Sequence, residues 1–313
     1  LRDDDGDSDT ASLSIRVTPD GEPVAVSDTL AVDETNLTPG PMIFNEHLAV
    51  DFGIDGAGTI TPSGTFTPGG SLMGGALTSG GVPVVVTTTA TGYVGMAGAV
   101  TVFTLDIQNN GDYSFQLFDH IDHADATDPN DIITMDFGVT IADSDGDEAA
   151  GNILIHIHDD APVAYDDGHQ VVEESHSVSG NVRSNDELSE DRPTNVVEVV
   201  FNGVHHSVPL VGTVSVSGHY GTLVIGSDGA YTYTANNNDP DGIDNFTYVL
   251  EDYDGDRDTA EFSFCVTPRD DEPIVVNAVE TVDETNLNIV EPGTVNVNYG
   301  GDGPGTLSGS GLF

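Results

Sequence analysis

Four aspartates stand two residues apart at Asp252, Asp254, Asp256 and Asp258, in the segment DYDGDRD. Two unit charges about 4 Å apart repel by roughly 1 kcal/mol in water and about 4 kcal/mol at an intermediate dielectric, so such a loop is penalised until a cation enters. Asp-Xaa-Asp-Gly-Asp supplies what a hard cation needs: short carboxylates on alternate residues, and a glycine for the sharp turn between them. Oxygen-only donors at this charge density select calcium over zinc or copper, and over magnesium, which keeps more of its water. A single turn of this kind would read as a solvated acidic loop. The pattern recurs at Asp3, Asp5, Asp7 and Asp9, and more loosely at Asp143, Asp145 and Asp147, each time ahead of a strand-like run and an acidic Xaa-Pro joint. Three copies in one context read as calcium sites.

The joints carry acids as well. IHDDAPVAYDDG sets Asp159, Asp160, Asp166 and Asp167 around a proline, and PRDDEPIV sets Asp270, Asp271 and Glu272 in the same way. Calcium shared there would lock neighbouring modules; a flexible charged linker is the alternative. The segment LFDHIDHADATDPNDIITMDF spaces Asp119, Asp122, Asp125, Asp128 and Asp131 three apart, and its Asp-Pro argues for a looped crossover with one or two further calcium sites. His120 and His123 in that segment, and His156 and His158 on one strand face, complete no zinc motif and read as solvated or edge-strand histidines. No nucleophile elbow, P-loop or Asp-Thr-Gly appears, and no enzyme is expected.

The elements that position these loops follow from composition and periodicity. The 313 residues hold 54 acidic and 6 basic side chains, for a formal charge of -48, which rules out electrostatic binding to nucleic acid or to an anionic membrane. Apolar residues still make up 37% of the chain and recur at regular spacing, so the chain reads as folded rather than disordered. The runs VPVVVTTT, VTVFTLDI, DYSFQLF, ITMDFGVTIAD, GTLVIG, AYTYTA and NFTYVLED alternate or stay apolar between NNGD, SDG and NNNDPDG turns, and no segment shows a helical stripe. This is the pattern of an all-β chain of β-sandwiches. Cys265 alternates with Phe262, Phe264 and Val266 and reads as a small core or face residue, so no disulfide framework is expected. Residues 1–20 show no signal peptide, and no stretch is apolar enough for a membrane helix.

Repeats set the boundaries. VDETNL occurs at 32–37 and 282–287, and VDFGIDGAGTI (50–60) pairs with VNYGGDGPGTL (297–307). The expected order is the end of one β-unit (1–19), a complete unit (20–161), a different complete unit (162–270) and the start of another copy of the first (271–313).

Residues 162–268 resemble the cadherin-like or VCBS-type repeats of bacterial surface proteins, through AYDDG, VSGNVRSND, YGTLVIGSDGAYTYTANNNDPDGIDNFTY and the closing DYDGD. Residues 20–161, with VDETNL, LFDHIDHAD and IADSDGDEA, resemble the repeats of giant RTX adhesins exported by type I secretion. The resemblance implies Ig-like or cadherin-like sandwiches outside the cell, stiffened by Ca2+. It places the family's acidic sites on the three loops, and adds Asn185 and Asp186 as ligands. Glu148-Ala149 departs from it, lacking the fourth aspartate of the other copies. The implied function is a calcium-rigidified extender of a large surface adhesin or filament, serving adhesion or biofilm attachment, with neighbouring repeats as partners. The alternatives are a module gripping a peptide or glycan with the Gly-rich stretch 65–81, and a fibre subunit joining copies head to tail by strand exchange through SLSIRV (12–17) and TVNVNY (294–299).

Overall fold

The computed structural model describes residues 1–2, 4–16, 21–37, 40–237, 241–268, 274–275, 296–298, 305–306 and 308. Two compact units divide it: residues 1–124 with 131–159, and residues 125–130 with 160–313. Strands and turns form both, and the helices among the described residues are three single 3-10 turns.

The first unit has ten strands: β1 (Ser27–Asp33), β2 (Met42–His47), β3 (Thr59–Gly70), β4 (Thr78–Ser79), β5 (Val82–Thr88), β6 (Gly92–Ala97), β7 (Val100–Ile107), β8 (Asp112–Leu117), β9 (Ile132–Ala142) and β10 (Glu148–His158). One sheet runs β1-β10-β9-β3 and the other β2-β8-β7-β6-β5-β4. Alternation decides which face is inside: Ile133, Met135, Phe137, Val139 and Ile141 of β9 are fully buried while the residues between them are not. Phe137 meets Phe103 of β7 edge-on at 5.6 Å and Tyr93 of β6 at 5.2 Å, so the two sheets close on one aromatic core. The buried Tyr93 hydroxyl stays satisfied by donating to the Gly138 carbonyl at 2.5 Å.

The second unit repeats the plan with β11 (His169–Glu173), β12 (Ser177–Asn181), β13 (Asn195–Phe201), β14 (Val204–Ser207), β15 (Thr213–Ser217), β16 (Gly221–Gly226), β17 (Ala230–Ala235), β18 (Gly242–Glu251) and β19 (Arg257–Thr267). Its sheets run β11-β19-β18-β13-β14 and β12-β17-β16-β15. Tyr233 of β17 stacks on Phe264 of β19 at 4.0 Å across the core. In both units the first strand pairs parallel with the last, β1 with β10 and β11 with β19, and the last two strands form a long antiparallel hairpin. The fold is therefore all-β, in two sandwiches.

Two expectations change, and a third is described only in part. The stretch 65–81 is no free gripping loop: it begins inside β3, passes a 3-10 turn at Met73–Gly75 and ends with β4 pairing β5. The described part of SLSIRV is in no strand, and its Leu13 and Ile15 are exposed. Of TVNVNY, residues 297–298 pair with 274–275, and the rest of that motif, apart from residue 296, lies outside the described residues, as does the second VDETNL.

Candidate metal centres

Each long hairpin turns through an acidic loop. Asp143–Asp147 joins β9 to β10, and Asp252–Asp256 joins β18 to β19. The same bonds build both: Asp143 Oδ1 accepts the N–H groups of Gly146 and Asp147 at 3.0 Å each, and Asp252 Oδ1 accepts those of Gly255 and Asp256 at 3.1 and 2.9 Å. Gly146 and Gly255 have φ of +108° and +114°, a region that L side chains rarely enter, which is why glycine stands there. The closing pairs also coincide, Ala142 with Glu148 and Glu251 with Arg257. In the N-terminal copy Arg2 bridges Ser8 and Gly6 has φ +102°. The two interior copies are thus one backbone device, and the N-terminal copy shares its closing pair and its glycine conformation.

One oxygen of each leading aspartate is consumed by backbone. The other, Asp143 Oδ2 or Asp252 Oδ2, is buried and makes no hydrogen bond of ordinary length among the described residues. Carboxylates gather around it instead. Oxygens of Asp252, Asp254 and Asp256 lie within 4.8 Å of one another, as do those of Asp55, Asp143 and Asp145. Without a cation such groups must share protons. Burial, followed by the Asp254 charge, pushes Asp252 up to about 8. The hydrogen bond with Asp143, then burial, raises Asp145 to about 6. Burial acts to raise Asp143 too, but its bonds to Asp145 and to the loop N–H groups outweigh it and leave its pKa low. A buried carboxylate oxygen with no ordinary hydrogen bond, set among other carboxylates, suits a cation, and the donors are all oxygen, as calcium requires.

Two carboxylates from outside the loops escape a reading of the loops alone. Asp55 comes from the turn before β3, where its carboxylate also accepts Gly21 N–H at 2.7 Å and its carbonyl accepts Ser144 Oγ. Asp191 is fully buried, its carbonyl accepts Tyr253 N–H at 3.0 Å, and its carboxylate lies within 4.8 Å of that of Asp254. Neither sits in one of the Asp-Xaa-Asp loops; Asp55 does lie in the repeated VDFGIDGAGTI segment, whose copy keeps an aspartate at 302, while nothing local in the sequence marks Asp191.

The other aspartates named from sequence are dispersed. Asp258 is not gathered with its three neighbours: its Oδ2 accepts Ala164 N–H at 2.8 Å. There it joins a second acidic group around the start of the unit. Asp166 accepts Glu261 N–H at 2.8 Å, Asp186 accepts Tyr165 N–H and the Tyr248 hydroxyl at 2.8 Å, and Asn185 donates to the carbonyls of Tyr165 and Asp166. Asp167 Oδ2 is buried without a hydrogen-bond donor, and burial, then the charges of Asp186 and Asp166, raises its pKa to about 6. Asp159 is buried near Glu34 and His123. Asp160 accepts Glu190 N–H at 2.7 Å. Asp5, Asp7 and Asp9 are exposed, and Asp147 joins neither carboxylate group. Asp3, Asp271 and Glu272 lie outside the described residues.

The 118–131 segment is a looped crossover, yet its side chains differ from expectation. Asp122 is buried and spends both oxygens on the N–H groups of Gly80 and Gly81, at 2.6 and 2.8 Å, fixing the β4–β5 turn. His120 and His123 are buried rather than solvated. The apolar Ile121 between them enters the core and draws both rings in with it.

Residues 159–268 match the bacterial cadherin-like domain. That unit is cadherin-like, and both acidic groups built on Asp252 and Asp186 fall within the match. Residues 29–156 match a domain of unknown function (DUF5801), which contains the Asp55–Asp143–Asp145 group. No curated protein matches the chain. Among solved structures, it is similar to the N-terminal Ig1-2 module of the Drosophila receptor protein tyrosine phosphatase DLAR at 11% identity, over 79% of this chain and 96% of that one, with a TM-score of 0.21. Murine CEACAM1b is similar at 12% identity over 78% and 99% of the two chains, with a TM-score of 0.22. Protocadherin gamma B7 extracellular domains 1-4 are similar at 10% identity over 83% of this chain, with a TM-score of 0.23, and the chain spans 56% of that structure's length.

Proposed function

We propose that this chain is a calcium-rigidified extender segment of a large extracellular adhesin or filament, a run of β-units that holds a distal end away from a surface. The observation that carries the reading is the shared hairpin device, in which two units of different sequence each bury an aspartate oxygen with no ordinary hydrogen bond among further carboxylates. Asp252, Asp254 and Asp256 would hold one ion, with Asp191 beside Asp254, and Asp55, Asp143 and Asp145 another. Bound calcium supplies positive charge that turns mutual repulsion into a cross-link between loop and sandwich.

The chain's own residues do the positioning. The positive φ of Gly146 and Gly255 lets each loop turn back on itself, and the backbone N–H bonds to Oδ1 fix each leading aspartate, leaving its buried Oδ2 as the atom that would take an ion. Cadherin-like repeats in tandem, outside the cell, fit this role better than catalysis.

Calorimetric titration of the chelator-stripped chain with calcium tests it. Binding at 0.1–1 mM or tighter, reduced by at least one equivalent in Asp252→Asn and in Asp143→Asn, is expected for sites of an extracellular module. A chain that binds no calcium at several millimolar refutes the reading.

A further inference from the structure

A buried cluster of one imidazole among carboxylates lies in the first unit, built from residues outside the acidic hairpin loops. The cap of VDETNL starts it: Asp33 accepts Thr35 N–H at 3.1 Å and opens the 3-10 turn Glu34–Asn36, which tucks Glu34 into the interior. Glu34 Oε1 accepts the N–H of Ile121 at 3.0 Å, so the carboxylate is oriented and its Oε2 faces His123. His123 is 1% exposed, held by a bridge to Leu72, with its Nδ1 against the Asp131 carboxylate and its Nε2 toward Glu34. Asp131 is anchored in turn, its carbonyl accepting Asp159 N–H at 3.1 Å. That bond brings the Asp159 carboxylate in, and ligand atoms of Glu34, His123 and Asp159 lie within 4.8 Å of one another.

Two features separate this cluster from a solvated acidic patch or a plain ion pair. The Nε2–Oε2 distance is 3.7 Å, too long for a hydrogen bond but close to the spacing of two ligands on one ion at bonds of about 2.0–2.2 Å. A carboxylate on Nδ1 is also the usual support of a metal-bound imidazole, since it fixes the tautomer that leaves Nε2 free to donate its lone pair. Three carboxylates face a single imidazole in a site closed to water, so a protonated ring would neutralise only one of them.

We propose that Glu34, His123 and Asp159 form a binding site for a first-row transition metal of the zinc class, with Asp131 as the positioning residue for His123. A nitrogen donor among carboxylates selects Zn2+, Co2+ or Ni2+ over calcium, which takes oxygen. The calcium reading rests on the Asp143 and Asp252 loops, none of whose residues is a ligand here, so failure of this site would leave it standing.

The test uses the whole chain, stripped with chelator and then held in excess calcium so that the oxygen sites are occupied. Titration with Co2+ should show one equivalent with visible d–d absorption, displaced by Zn2+. His123→Ala should abolish that equivalent, and Asp131→Asn should weaken it by roughly 10–100-fold while calcium binding persists. Because a buried-histidine variant can fail to fold, the imidazole nitrogens of the wild-type chain are also followed by 15N NMR, where Zn2+ should move one His Nε2 resonance from a buried ring. No equivalent tied to His123, or a His123 ring carrying protons on both nitrogens with and without Zn2+, overturns the proposal and makes the cluster a buried imidazolium.

Discussion

Asp252→Asn separates a ligand from a structural acceptor because its two oxygens have different work. The amide oxygen of asparagine can still accept the Gly255 and Asp256 N–H groups, at the 3.1 and 2.9 Å now spanned by Oδ1. The charge and the buried Oδ2 are lost. With calcium present, the variant gives up the linkage term of one site. For an affinity of about 0.1 mM in about 1 mM calcium that is roughly 1.4 kcal/mol, or about 5–10 °C in Tm for a unit of this size. In EDTA the sign reverses. Burial and the Asp254 charge hold Asp252 near 8, so at pH 9 the wild-type loop carries a charge that costs stability, and asparagine removes it. Thermal melts by circular dichroism in 1 mM calcium and in EDTA at pH 9 give both numbers. Equal destabilisation under the two conditions would show that Asp252 only shapes the loop, and the ligand argument would fail.

Other outcomes follow from the same geometry. In EDTA the folded state keeps a proton on Asp252 (about 8) and on Asp145 and Asp167 (about 6 each) that the unfolded chain releases near 4, so this stability is present below pH 4 and lost as pH rises to 8; melts between pH 5 and 9 should show it, flattened by calcium. Gly255→Ala, at φ +114°, should cost about 1–2 kcal/mol and weaken calcium binding, whereas an unchanged melt would mean that the turn relaxes freely. Tyr248→Phe removes the hydroxyl that donates to Asp186 and should destabilise the cadherin-like unit by about 1–3 kcal/mol in urea unfolding, with no loss of the Asp252 calcium site.

The strands were legible because burial on one face writes period-two alternation into the chain, as in β9 and β18, and the acidic turns were legible because three copies share one spacing. The completing ligands were not. Asp55 and Asp191 reach the loops from about 90 and 60 residues away in sequence, through tertiary contact alone. Asp258 continues the loop's spacing in sequence but belongs to β19, where pairing carries it to Ala164 instead. His123 looked like a solvated residue in an acidic run; the neighbouring Ile121, drawn into the core, is the one local sign that this loop folds inward. SLSIRV has strand alternation but no neighbouring strand among the described residues, since alternation marks a face that can be buried and not a partner that buries it.

Anomalous scattering from crystals grown in calcium tests the central claim most directly. The account predicts peaks within coordination distance, about 2.3–2.6 Å, of carboxylate oxygens of Asp252, Asp254 and Asp256 in the second unit and of Asp55, Asp143 and Asp145 in the first. Well-ordered loops at saturating calcium with no anomalous density at either place would contradict it.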